Sequence, residues 1–150
     1  MTLIKTIIIW CGMHYATPQW MEQQLPPHFK TQYDVYIVPY GTPLSQIKQN
    51  IDPNTTALMG FSAGALDVFK NYNPDYAFIG LIDPSTRIQY KLLEYNKNTH
   101  MMYNPLNWGN INKSLETIAH DVMMEGGESI EIHQPHNVFP KYFFQTYFGI

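Results

Sequence analysis

The chain has 150 residues, of which 45% are apolar and only 14% charged, against roughly a quarter charged in an ordinary soluble domain. That length suits a single domain over residues 1–150, and the composition excludes a disordered tail, a coiled coil or a highly charged nucleic-acid clamp. A net charge of −3, with Arg87 the only arginine among nine basic residues, supplies neither counterion release nor guanidinium forks for a phosphate backbone, so no nucleic-acid partner is expected.

The first element is the apolar run Ile7, Ile8, Ile9, Trp10, Cys11 after Lys5. It is too short for a signal-peptide core, no small-residue cleavage site follows it, and β-branched crowding predicts a buried strand over Leu3 to Cys11 ended by Gly12. No stretch nears the roughly 18 apolar residues of a membrane span, and the lone Cys11 allows no internal disulfide. A soluble, cytoplasmic protein is the expectation. Thr17 and Pro18 supply an N-cap and a first-turn proline for a helix that Pro26 and Pro27 close. Tyr33 to Pro39 reads as a second strand. Thr42 and Pro43 repeat the cap-plus-proline device before a short helix with Leu44, Ile47 and Ile51 on one face.

Thr55 to Phe61 is the third predicted strand, followed by a helix whose inner stripe is Ala65, Leu66, Phe69 and Tyr72. Tyr76 to Ile82 is the fourth strand. Arg87 to Tyr95 reads as a helix and His100 to Tyr103 as a short fifth strand. Ile111, Leu115, Ile118 and Val122 mark an amphipathic helix stopped by Gly126 and Gly127. Ser129 to His133 alternates apolar and polar residues, as a half-exposed edge strand does. The aromatic tail from Asn137 predicts a last helix. Strand–helix alternation of this kind predicts one α/β domain, a doubly wound, mostly parallel sheet of about six strands with helices on both faces.

The sharpest local signal is Gly60-Phe61-Ser62-Ala63-Gly64, which fits G-x-S-x-G, the nucleophile elbow. With nine Gly and five Ser the pattern arises by chance about 2% of the time, so its context must carry it. A strand precedes it and an amphipathic helix follows, as the elbow requires. A serine needs a base, itself held by a third group. His136, just past the last strand, is the leading candidate; His133, three residues earlier, faces solvent in the alternating strand. Asp83 follows the fourth strand and completes the chain order Ser–Asp–His, with a simple Asp-Pro turn as its bland alternative. The oxyanion would take one backbone N–H from Ala63 and a second from Gly12 or Met13. Phe61 and His14 are expected to border the substrate, and Trp10, Tyr15 and Trp108 are nearest in sequence for an apolar acyl pocket. Cys11 has the weaker reading of a second nucleophile. No phosphate, dinucleotide or zincin motif occurs, and His133 with His136 lacks a third ligand, so no metal or cofactor is expected.

Over essentially its whole length the chain resembles a small member of the α/β-hydrolase superfamily. The residues that carry the likeness are Ile7 to Met13, the elbow Gly60 to Gly64, the strand ending at Asp83, and His136. The resemblance implies a reduced α/β-hydrolase fold of six strands where fuller members have eight, without a cap domain, and a shallow, open cleft over Ser62. It implies a serine hydrolase of esterase, lipase or thioesterase type acting on a small acyl substrate. Many members carry the acid after the penultimate strand, where this chain has Asn104-Pro105-Leu106-Asn107; some carry it one strand earlier, where Asp83 falls. The competing expectation is a catalytically weakened or inactive relative that binds rather than cleaves, with Asn107 in place of the acid.

Overall fold

The four central strands are short runs rich in β-branched, aromatic and methionine side chains that bury almost every residue on both faces, so they need no alternation, whereas the two edge strands stay partly exposed. The computed structural model describes residues 3–84, 95–105 and 112–150. The strands are β1 (Thr6–Trp10), β2 (Asp34–Val38), β3 (Thr56–Phe61), β4 (Phe78–Ile82), β5 (Thr99–Tyr103) and β6 (Glu128–Glu131). They form one sheet in the order β2-β1-β3-β4-β5-β6 with every neighbouring pair parallel. The protein is therefore of the α/β class, with a fully parallel sheet.

Helices α1 (Pro18–Glu22), α2 (Phe29–Gln32) and α6 (Phe143–Phe148) cover one face, and α3 (Leu44–Ile47), α4 (Gly64–Asn71) and α5 (Asn112–Met124) the other. Alternation within each strand assigns the core residues. Ile8 and Trp10 of β1, with Leu58, Ile79, Leu81 and Met101, pack against Ala65, Val68, Leu115 and Ile118. Ile7 and Ile9, with Ala57, Met59, Ile82 and Met102, pack against Met21, Phe29, Phe143 and Phe144. Each fully buried Ile or Leu contributes roughly 1.5–3 kcal/mol, so the five unexposed residues Ile7 to Cys11 anchor the centre of the sheet.

Several elements are shorter than the sequence predicts. Leu3 is exposed and lies outside β1. Thr17 caps α1 by accepting from the Trp20 amide at 3.2 Å, but the helix stops at Glu22. Gln24 and Leu25 then bond three residues back rather than four, tightening the chain before the two prolines. A separate α2 follows, with Phe29 as its one buried side chain. Helix α3 ends at Ile47, and Ile51 reaches the core from outside any helix. The tail is helical only over Phe143–Phe148. The predicted helix Arg87 to Tyr95 falls almost wholly on residues outside those described.

The chain leaves β1 toward β2, then returns across β1 to β3 and runs onward to β6. The direction of winding therefore reverses between β1 and β3. In an open parallel sheet, the crevice at the carboxyl ends of such a pair is where ligands bind.

Candidate active site

Ser62 sits at that reversal. It follows the last residue of β3, and its amide donates to the Ile82 carbonyl at 3.0 Å, extending the ladder toward β4. Its φ of +55° is unusual for a residue with a side chain and costs of order 1–3 kcal/mol. The two glycines of the motif make this turn possible through close backbone approach. A Cβ on Gly60 would lie 2.3 Å from the Gly64 carbonyl oxygen, and one on Gly64 would lie 2.3 Å from that of Trp10 and 2.6 Å from that of Cys11. Without side chains there, α4 starts directly against β1 and β3.

Asp83 stands just past β4, its amide donating to the Met102 carbonyl at 2.7 Å, and is only 2% exposed. His136 lies in the connection between β6 and α6. These three residues, 53 and 74 positions apart, form one hydrogen-bonded line. His136 Nδ1 lies 2.6 Å from Asp83 Oδ2, and Nε2 lies 2.7 Å from Ser62 Oγ. A carboxylate only accepts, so Nδ1 carries the proton and donates to Asp83, which leaves Nε2 to accept the Ser62 hydroxyl. The second Asp83 oxygen accepts from the Asn104 amide at 3.1 Å. With both oxygens engaged, the carboxylate cannot turn away from the imidazole.

The imidazole rests flat on Phe61, with ring centroids 5.3 Å apart and planes 9° from parallel. Phe61 in turn meets Trp20 and Phe139. This corrects the expectation that Phe61 borders the substrate: it is wholly buried and forms the floor under His136, because its odd position in β3 turns it toward the α1/α6 face. Trp10 is likewise unsuited to an acyl pocket, being fully buried on the opposite face with its indole N–H donating to the Thr42 carbonyl. Tyr15 is exposed at the rim, and its hydroxyl donates to the His136 carbonyl at 3.0 Å.

Among the described residues, the backbone N–H groups of Gly12, Met13 and Ala63 donate to no other group. Ala63 directly follows Ser62, and a Cβ on Gly12 would lie 3.2 Å from the Ser62 Cβ, so both residues adjoin the serine. His14 is exposed, adopts φ +60°, and makes no hydrogen bond, ion pair or ring contact among the described residues. His133 is not on the Ser62–Asp83 line. It lies on the wall of a cleft of about 430 Å³ between β6 and α6, with Ile130, Ile132, Lys141 and Tyr142. Burial pushes the Cys11 thiol up to about 12, which removes it as a nucleophile near neutral pH. Asn107 and Trp108 lie outside the described residues. Among the described residues, no three His, Cys, Asp or Glu side chains are placed to share a metal ion, and no helix is long and apolar enough to cross a membrane.

Three roles escaped the sequence reading. Trp20 and Phe139 support Phe61, and the Asn104 side chain donates to the Gln134 carbonyl at 2.6 Å. Nothing local marks these residues, since their partners lie tens of residues away. Comparison of the chain with family models, with curated proteins and with solved structures finds no match.

Proposed function

We propose that the protein is a serine hydrolase of the α/β-hydrolase type that cleaves acyl esters, with Ser62 as nucleophile, His136 as base and Asp83 as its partner. The observation that carries this reading is the unbroken line from Ser62 Oγ through His136 to Asp83, with 2.7 and 2.6 Å contacts. The elbow turn at Ser62, the chain order and the location at the winding reversal support it independently. The reading as an inactive relative rests on an amide in place of the acid, and the 2.6 Å contact between Asp83 Oδ2 and His136 Nδ1 favours the hydrolase instead.

In this reading, His136 Nε2 takes the Ser62 proton as Oγ attacks the acyl carbonyl. The oxyanion that forms meets the amides of Ala63 and of Met13 or Gly12, donors that need no reorganisation when charge develops. Asp83 stabilises the imidazolium and holds its tautomer without taking the proton. The imidazolium then protonates the departing alkoxide, leaving an acyl-Ser62 ester. Water, activated by the same nitrogen, attacks that ester, releases the acid and restores the hydroxyl.

A fluorophosphonate probe tests the reading, because it phosphonylates only an activated serine. Wild-type protein should take one equivalent, and Ser62→Ala none, with parallel loss of p-nitrophenyl butyrate hydrolysis. Absent labelling of the wild type, or equal labelling of the variant, overturns it.

A further inference from the structure

Because β5 lies between β4 and β6, the chain leaving β6 must cross the carboxyl end of β5 before His136 can reach Asp83 and Ser62. Asn104, the first residue after β5, is beneath that crossing and only 6% exposed. Its two kinds of N–H point to two different members of the site. The backbone N–H donates to Asp83 Oδ1 at 3.1 Å, and the side-chain amide Nδ2 donates to the Gln134 carbonyl at 2.6 Å, two residues before His136. The preceding residue takes part as well, since the Tyr103 carbonyl accepts from the Ile132 amide at 2.8 Å.

We infer that Asn104 is a positioning residue for the proposed hydrolysis, one that references the acid and the histidine-bearing loop to the same point of the sheet. This rests on the serine-hydrolase reading above. The segment between β6 and α6 is otherwise irregular, and the imidazole must meet two partners at once within 2.6 and 2.7 Å. A drift of about 1 Å breaks both contacts, and misplacement of that size costs on the order of 100-fold in rate. Nδ2 acts where drift would begin, on the backbone just before the histidine. A carboxylate at position 104 could not do this, because it has no proton to give a carbonyl. The resemblance implies an acid after this strand in many relatives; here an amide at the strand's end serves the histidine through its loop.

Asn104→Leu removes the donor while keeping branched bulk and adding no charge, and it leaves the backbone N–H on Asp83. Fluorophosphonate titration counts competent serines, and p-nitrophenyl butyrate turnover is then expressed per labelled serine. The expected result is an unchanged number of labelled sites, kcat per site lower by about 10- to 100-fold, and KM within twofold of wild type. Asn104→Gln, which retains an amide donor, should recover part of the loss. A purely structural role would instead reduce the number of labelled sites and leave turnover per site at the wild-type value, which overturns the inference. If Asn104→Leu does not fold, Asn104→Ala makes the same comparison, and failure of both to reach the native circular-dichroism signal assigns Asn104 to the fold instead. Wild-type protein that takes no label overturns the hydrolase reading itself, and this inference with it.

Discussion

Replacing Asp83 with Asn probes the site at the point where geometry and charge can be weighed separately. Among the described residues, the carboxylate accepts from His136 Nδ1 at 2.6 Å and from the Asn104 amide at 3.1 Å. An amide has one oxygen, so its NH2 must face one of those two donors. Facing the Asn104 N–H, it leaves a buried donor unpaired, at a cost of about 1–3 kcal/mol. Facing Nδ1, it moves the imidazole proton to Nε2, and Ser62 loses its base. Either orientation also removes the charge opposite the imidazolium. At 2.6 Å and an effective dielectric constant of about 20, that attraction is roughly 6 kcal/mol. The imidazole is 19% exposed, and solvent screening reduces the value further. A loss of about 10³- to 10⁴-fold in kcat/KM follows, with a cost in stability of no more than about 1–3 kcal/mol. The assay is p-nitrophenyl butyrate hydrolysis by wild type, Asp83→Asn and Asn107→Ala side by side, with folding checked by circular dichroism. If Asp83→Asn stays within tenfold of wild type while Asn107→Ala abolishes activity, Asp83 is not the acid.

Three further outcomes follow from the packing. Gly64→Ala sets a methyl group 2.3 Å from a backbone oxygen of β1; the expected cost is about 3 kcal/mol or more, read as a fall in Tm of roughly 6–12 °C, and an unchanged Tm would refute the close approach. Cys11, with its thiol held near 12 by burial, should resist a thiol-specific disulfide reagent at pH 8 in the native state and react fully in denaturant, so fast native labelling would contradict its burial. His100 is stacked on Phe78 and held below its ordinary value by burial. The unfolded chain therefore binds a proton there more readily than the folded one. Its contribution to stability is complete above about pH 6.5 and is lost as the pH falls below it. Denaturant titrations of wild type and His100→Phe between pH 8 and 5 should show a shallower acid decline in the variant, and parallel curves would exclude this contribution.

Much of the architecture is legible locally. The crowded β-branched run before Gly12, the Thr17-Pro18 cap, the elbow glycines and the stripe of Leu115, Ile118 and Val122 each express a short-range rule, and strands or helices stand where they fall. Helix ends were less legible, because α1 and α3 stop where the chain tightens or turns rather than where a proline stands. Phe61 shows the limit most clearly. Its neighbour in sequence is Ser62, yet strand alternation sends its ring under the imidazole instead of toward a substrate.

The amino-acid sequence by itself determined the alternation of strands and helices, the turn that sets a serine at the end of a strand, and the short roster of residues able to serve as base and acid. Those are properties of neighbouring residues, written in hydrophobic period, caps and glycines. Only the tertiary structure decided that residues 62, 83 and 136 meet, that His133 stands aside on a different cleft, that Cys11 is fully buried, and that Asn104 reaches both Asp83 and the loop of His136. Each depends on which strands are neighbours in space. That order comes from packing the six strands into one sheet whose central strands lie buried between helices, a condition on the whole chain that no local stretch records.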